Sequence, residues 1–339
     1  MRRAHLVTMP MRLFLAALLL LASGAAAQNA RTEVLKLPDG RTVYVAGLRR
    51  WTIPMIQDSL AKYSPTDSLQ SHACAAVLRY KLHFADAAAS YLTMSPRSPD
   101  IMFIEVREPQ DSARVHYRAM PLDTVSPRSA WRVASDVAAA SPRAFRSGVT
   151  AHFGKQTLAK SDTAGARVAE FFATHRAESD LRAALSTLET SPNVYDRSTA
   201  AVMLGNFAER PEVVPALLRG ILESDGPVKQ WSSETLAFVA AKPSVKPDWK
   251  TLAPEIRSIL DGTSLFMLGD LLELLAGRSD IGPDLAGPFL AGGGEMIVSY
   301  LDNPQPIRSG PARAVLTKLR GKDLGSDPAA WRNWIETLR

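Results

Sequence analysis

The chain has little of what staples a fold or spans a bilayer. A single cysteine, Cys74, stands among 339 residues. One thiol makes no internal disulfide, so packed apolar surface must hold the fold together. Long apolar runs are also missing. The most continuous, Leu13 to Ala22, falls well short of the roughly twenty residues a membrane span needs. No integral membrane span is therefore expected in the mature chain. Histidines at 72, 83, 116, 152 and 175 are scattered, with neither H-x-x-x-H nor C-x-x-C spacing, so no metal or other cofactor is expected. Nor does charge of one sign dominate. The formal charge is +6, and the first 27 residues carry Arg2, Arg3 and Arg12 without a single acid, leaving +3 on the rest. Those remaining cations are dispersed, and no nucleic-acid partner is expected.

What the amino terminus does contain is an export pattern. Arg2, Arg3 and Arg12 form a basic start, Leu13 to Ala22 an apolar centre, and Ser23-Gly24-Ala25-Ala26-Ala27 a small-residue end. Ala25 and Ala27 satisfy the A-x-A rule, so residues 1–27 are expected to be a signal peptide cut before Gln28. No cysteine follows the apolar centre to take a lipid anchor. The expected mature protein is soluble and works in the periplasm or outside the cell.

Aromatics make up only 7% of the chain, while alanine and leucine are plentiful, a composition that favours helices. The expected fold class is mainly α, with a small N-terminal α+β domain over 28–160 followed by a helical domain over 161–339. In the first, Val34-Leu35-Lys36-Leu37 and Arg41-Thr42-Val43-Tyr44-Val45 flank Pro38-Asp39-Gly40, which predicts a hairpin. Thr52 is expected to cap a helix over 53–62, and a second helix to cover 71–82. A further hairpin is expected from 101–107 and 113–120 around Pro109-Gln110-Asp111-Ser112. There Met102, Ile104 and Val106 alternate with Phe103, Glu105 and Arg107, as in a sheet with one face on a core and the other largely charged. Helices over 128–140 and 142–158 then lead out.

After Asp162 amphipathic helices follow one another. Val194 to Gly205 places Arg197 before Ala200-Ala201 and Leu204; thirty-two residues on, Lys229 precedes Ser232-Ser233 and Leu236 in the same frame. Looser copies begin at Ser264 and at Ile307. Candidate first helices lie between them, over 178–190, 211–223, 249–260 and 283–301, with Pro192, Pro211, Pro243, Pro247 and Pro304 in or beside the breaks. The frame resembles the second helix of a HEAT repeat, which implies an α-solenoid in which each helix pair buries its apolar face on the next. A non-repeating bundle built from the same stripes is the alternative. The run from Leu316 to Trp334 resembles the closing segment of some bacterial HEAT-repeat proteins. Asp327 and Pro328 open its last helix, where Trp331 and Trp334 share one face and would cover the end of the stack.

One nucleophile candidate remains. Cys74 lies near the start of a helix, and the run Cys74-Ala75-Ala76-Val77-Leu78-Arg79-Tyr80 resembles the nucleophile helix of papain-like bacteriocin-processing peptidases. That resemblance implies a thiol hydrolase with a downstream histidine, for which His116 is the candidate. Two features count against it: Ala75 replaces the glycine usual after the nucleophile, and Cys74 shares an apolar helix face with Val77 and Leu78. Gly292-Gly293-Gly294 lacks the lysine of a phosphate loop and is expected to interrupt a helix. Solenoids present extended surface, so a protein or peptide partner is the favoured expectation.

Overall fold

The computed structural model describes residues 29–66, 68–93, 100–119 and 131–338; the expected signal peptide lies outside these. The described chain is mainly helical, with one four-stranded sheet near its beginning. Strands β1 (Arg31–Lys36) and β2 (Thr42–Leu48) form the expected hairpin, Val34 standing opposite Tyr44. At its turn Gly40 adopts φ +86°, and the Leu37 N–H donates to the Arg41 carbonyl at 2.9 Å. Helix α1 (Ile53–Tyr63) starts where Thr52 Oγ1 accepts the Met55 N–H, and α2 (Ala73–Tyr80) follows.

The second expected hairpin does not form. Strand β4 (Ile101–Arg107) is present, but Pro109–Arg114 coils into a 3₁₀ turn and residues 115–119 pair with no strand. Its antiparallel partner is instead β3 (Asp86–Leu92), and on its other side it runs parallel to β2, giving the order β1-β2-β4-β3. Strand β3 begins Asp86-Ala87-Ala88-Ala89, which has neither β-branched residues nor apolar/polar alternation to announce it. Residues 115–119 leave for the helical body, where the Arg118 N–H donates to the Leu222 carbonyl and the His116 N–H to Thr263 Oγ1.

The sheet is covered on both faces. Met102, Ile104 and Val106 join Val43, Val45, Ala87 and Ala89 in an apolar core closed by Ile56 and Leu60 of α1 and by Cys74 and Leu78 of α2. Phe103, Glu105 and Arg107 point the other way. The expectation that their face meets water fails, because Glu105 is 3% exposed and Arg107 fully buried against the helical body. Period-two alternation distinguishes two faces of a strand; what covers each face it leaves open.

The helical body opens with α3 (Arg132–Ala140), α4 (Pro142–His152) and α5 (Thr163–Thr174). There follow α6 (Glu178–Thr190), α7 (Val194–Leu204), α8 (Val213–Ile221), α9 (Gly226–Ala240), α10 (Ala253–Leu260) and α11 (Leu265–Gly277). The helix expected over 283–301 is broken. A 3₁₀ turn at Pro283–Leu285 leads into α12 (Ala286–Leu290), and Gly292 and Gly294, at φ +76° and +80°, separate it from α13 (Glu295–Leu301). Helix α14 (Pro306–Arg320) ends at Gly321, φ +74°, and α15 (Pro328–Glu336) closes the chain.

Helices α7, α9, α11 and α14 pack one on the next, while α6, α8, α10 and α12 form a second file beside them. One continuous apolar core runs through the body, from Trp131 in front of α3 to Ile335 in α15. Asp327 accepts the Ala329 N–H at 2.9 Å, as expected of a cap. Trp331 is fully buried and its indole N–H donates to the Gly325 carbonyl, while Trp334 packs edge-on against it at 5.8 Å. Among the described residues no helix is long and apolar enough to cross a membrane.

Candidate functional site

The two residues singled out for thiol chemistry lie in different surroundings. Cys74 is fully buried among Ile56, Leu60, Val77 and Ile104 in the core between the sheet and α1/α2. His116 is exposed, in the extended segment that crosses to the helical body on the other side of the sheet. A substrate would have to part α1 and α2 from the sheet to touch Sγ. Of the other histidines, His72 Nδ1 pairs with the Ala89 carbonyl and His152 Nε2 with Asn206 Oδ1. Burial holds the His152 pKa below the usual histidine value, despite the Asn206 contact. Among the described residues no three His, Cys, Asp or Glu side chains converge as a metal site would require.

A dense polar layer lies between the sheet and the helical body. Arg107 donates through Nε to the Asp261 carbonyl and through Nη1 to Glu295 Oε2, and its Nη2 lies 3.1 Å from Asp261 Oδ1. Gly262, at φ +108°, makes room, since a Cβ there would sit 2.4 Å from Arg107 Nε. Next along β4, Glu105 accepts from Tyr300 Oη and from Arg308, both at 3.1 Å. The Arg308 guanidinium also covers the Phe103 ring at 4.6 Å. At the start of β3, Asp86 Oδ2 accepts from Tyr117 Oη and from the Leu265 N–H, placing a carboxylate at the amino end of α11. Glu108 accepts the backbone N–H groups of Arg49, Arg50 and Trp51, pinning the turn from β2 into α1. These groups are committed to one another, and they fix how the sheet seats on the helices.

The open chemistry lies elsewhere, in a groove of about 840 Å³ between α9 and α11. Two contacts show that these helices run side by side in the same direction. Ser233 Oγ donates to Asp270 Oδ2 near their middles, and Arg278 Nη1 donates to the Ala240 carbonyl at their ends. Glu234, Asp270 and Glu273 therefore line one end of the groove, and Lys246, Arg278 and Asp280 the other; Lys155 also lines the wall. Six helical residues separate Glu234 from Ala240, so the two ends are roughly 9 Å apart. Ala237, Ala240 and Gly277 keep the space between them open. Partial burial against the groove walls and repulsion from Glu273 and Glu234 raise the Asp270 pKa despite the Ser233 bond. Arg278 is held by Asp280 at both Nε and Nη2, and that bond lowers the Asp280 pKa. The arrangement offers no nucleophile. It offers a solvent-open seat in which three carboxylates could meet a ligand's cation and the exposed Lys246 its anion.

None of these groove residues was singled out by sequence. Asp270 and Glu273, three apart on an otherwise leucine-rich helix, were the available signal, because that spacing puts them on one face. No family model, curated protein or solved structure matches the chain. The site is thus defined by its own geometry.

Proposed function

We propose that the chain is an exported partner-binding protein, in which a HEAT-like array presents the groove between α9 and α11 to an extended peptide segment. The observation that carries this reading is the groove's charge pattern: Glu234, Asp270 and Glu273 stand together, and the exposed Lys246 lies toward the opposite end beside the Arg278–Asp280 ion pair, with Lys155 also on the wall. The two files of helices support the solenoid reading, because each second helix packs on its predecessor as stacked repeats do. The basic, apolar and small-residue run before Gln28 supports export. The burial of Cys74 weighs against a thiol hydrolase.

The test uses blocked hexapeptides in which one arginine and one glutamate are moved through an alanine–serine background. Peptides with the two charges about three residues apart, roughly 10 Å when extended, are expected to bind best. Glu273→Lys should weaken them at least tenfold, and a peptide with glutamate in place of the arginine should regain affinity for that variant. Absence of binding across the series, or indifference to Glu273→Lys, would overturn the proposal.

A further inference from the structure

Strand β1 forms the outer edge of the sheet. Backbone direction alternates along β1. The Leu37 N–H turns inward to the Arg41 carbonyl, whereas the Thr32 N–H turns outward, to Asp302 Oδ2 at 3.0 Å. Val34 and Lys36 share the orientation of Thr32, so their N–H and C=O groups face away from β2. Asp302 seals the edge at Thr32. At Val34 and Lys36, both exposed, the edge meets no further strand among the described residues.

Beside this open stretch lies a cavity of about 150 Å³, between β1 and the end of α1. Leu35, Leu37, Leu60, Ala61, Pro65 and Leu69 line it. Leu35 and Leu37 lie on the sheet face that carries the α1/α2 core, so a strand added outside β1 would carry alternate side chains over the cavity. Val34, 46% exposed, and Lys36 share the other face.

We infer that this edge binds a short extended segment of a partner protein by strand addition, with a branched aliphatic side chain in the cavity and an acidic side chain beside Lys36. Main-chain hydrogen bonds would supply affinity and the alternate side chains the selectivity. The charge of Lys36 sets the acidic preference. Edge-to-edge pairing of two copies is a poorer fit. The open stretch spans only residues 34 to 37, and Asp302 blocks its continuation, far below the roughly 1,000 Å² a stable interface buries. A lysine on an edge strand also discourages self-pairing.

The probe is the blocked peptide Glu-Leu-Thr-Val-Glu-Leu, titrated into the full chain. At saturation the Val34 and Lys36 amides should exchange with solvent at least tenfold more slowly. Val34→Pro should weaken binding at least tenfold with little change in the denaturation midpoint, since that N–H serves no bond to β2. A peptide N-methylated on the amides that face β1 should lose binding, and one methylated on the alternate amides should keep it. This second pair of probes decides the matter even if the proline variant fails to fold. Glu273→Lys should leave the interaction intact, which separates it from the groove. The inference is overturned if the amides stay unprotected with peptide bound, or if both methylated peptides bind alike. Protection of the same amides by a concentration-dependent dimer without peptide would also overturn it.

Discussion

The two faces of the sheet are buried by different chemistry, one apolar and the other carrying buried charges among apolar side chains. Toward α1 and α2 the strands present Val43, Val45, Ala87, Ala89, Ile104 and Val106, and the core there is apolar throughout. Toward the helical body they present Asp86, Glu105 and Arg107, each 3% exposed or less. The apolar face can tolerate small shifts in packing, because dispersion and water exclusion are not directional. The charged face cannot. Each carboxylate and guanidinium there has specified partners, and a buried charge that loses one is costly. The charged face therefore sets the register in which the sheet meets the helices, and the apolar face supplies driving force for folding.

If that division is right, the largest single effect belongs to Arg107. Replacing it with leucine leaves Asp261 with Arg114 at 3.4 Å, and Glu295 with Arg114 at 3.1 Å and Arg49 at 3.4 Å. Removing one member of a buried pair costs about 3–5 kcal/mol, and Arg114 and Arg49 should hold the loss near the lower figure. Urea denaturation measures it. A loss below about 1 kcal/mol would mean that the polar layer is incidental to stability. Ile104→Ala, on the opposite face of the same strand, should cost about 2–4 kcal/mol through lost transfer energy and a residual cavity. The two variants should also differ in kind. Ile104→Ala should leave the sheet seated, with the His116 and Arg118 amides still protected, whereas Arg107→Leu should loosen their contacts first, as native-state hydrogen exchange would show.

Cys74 gives a smaller effect confined to the apolar face. Cys74→Ser places a hydroxyl in that core and should cost about 1–3 kcal/mol. In the unaltered protein a maleimide reagent should label Cys74 slowly under native conditions and quickly in urea, at a rate that reports opening of α1 and α2 from the sheet. Rapid native labelling would show the thiol to be accessible, and would reopen the thiol-hydrolase reading.

The faces also differ in pH response. Burial, more than any neighbour, pushes the Glu105 pKa above the ordinary glutamate value of 4.5, while Arg308 and Tyr300 pull against it. The folded chain thus holds a proton that the unfolded chain releases. The stability this contributes is full below 4.5 and is lost as pH rises through the folded value. Glu105→Gln should remove that dependence, flattening the fall in stability above pH 4.5 by up to about 1.4 kcal/mol per pH unit. Ile104→Ala should keep the slope of the unaltered protein. Equal slopes for the glutamine variant and the unaltered chain would show that Glu105 ionises as freely folded as unfolded.

The legibility of these parts in sequence follows from the same physics. The β1–β2 hairpin was readable because Pro38-Asp39-Gly40 fixes its own backbone, and the Asp327 cap because its partner is two residues away. Helix α6 was readable as the first helix of a pair, and α7, α9 and α14 from the repeated frame of a basic residue, small residues and a leucine. Strand β3 was not, since Ala87, Ala88 and Ala89 fit a strand only when both of its faces are covered. Nor could alternation in β4 reveal that Asp261, Tyr300, Glu295 and Arg308, more than 150 residues away, would bury its charges. The groove was hidden for a related reason. Its acids come from two helices, and only packing brings Glu234 beside Asp270 and Glu273.

The smallest expected effect on stability is at that groove, and it gives the sharpest contrast with the polar layer. Asp270 is a carboxylate like Glu105 but is open to solvent, and among the described residues its side-chain hydrogen bond is to Ser233. Asp270→Asn keeps the shape and a group able to meet Ser233, so stability at neutral pH should change by no more than about 0.5 kcal/mol. Affinity for a peptide bearing a cation should nevertheless fall, because the lost charge faced the ligand. A drop of threefold or more, steeper at low salt than at high, would mark Asp270 as a binding group. If stability fell by several kcal/mol and affinity did not change, Asp270 would belong with Glu105 and Arg107, as part of what holds the molecule together.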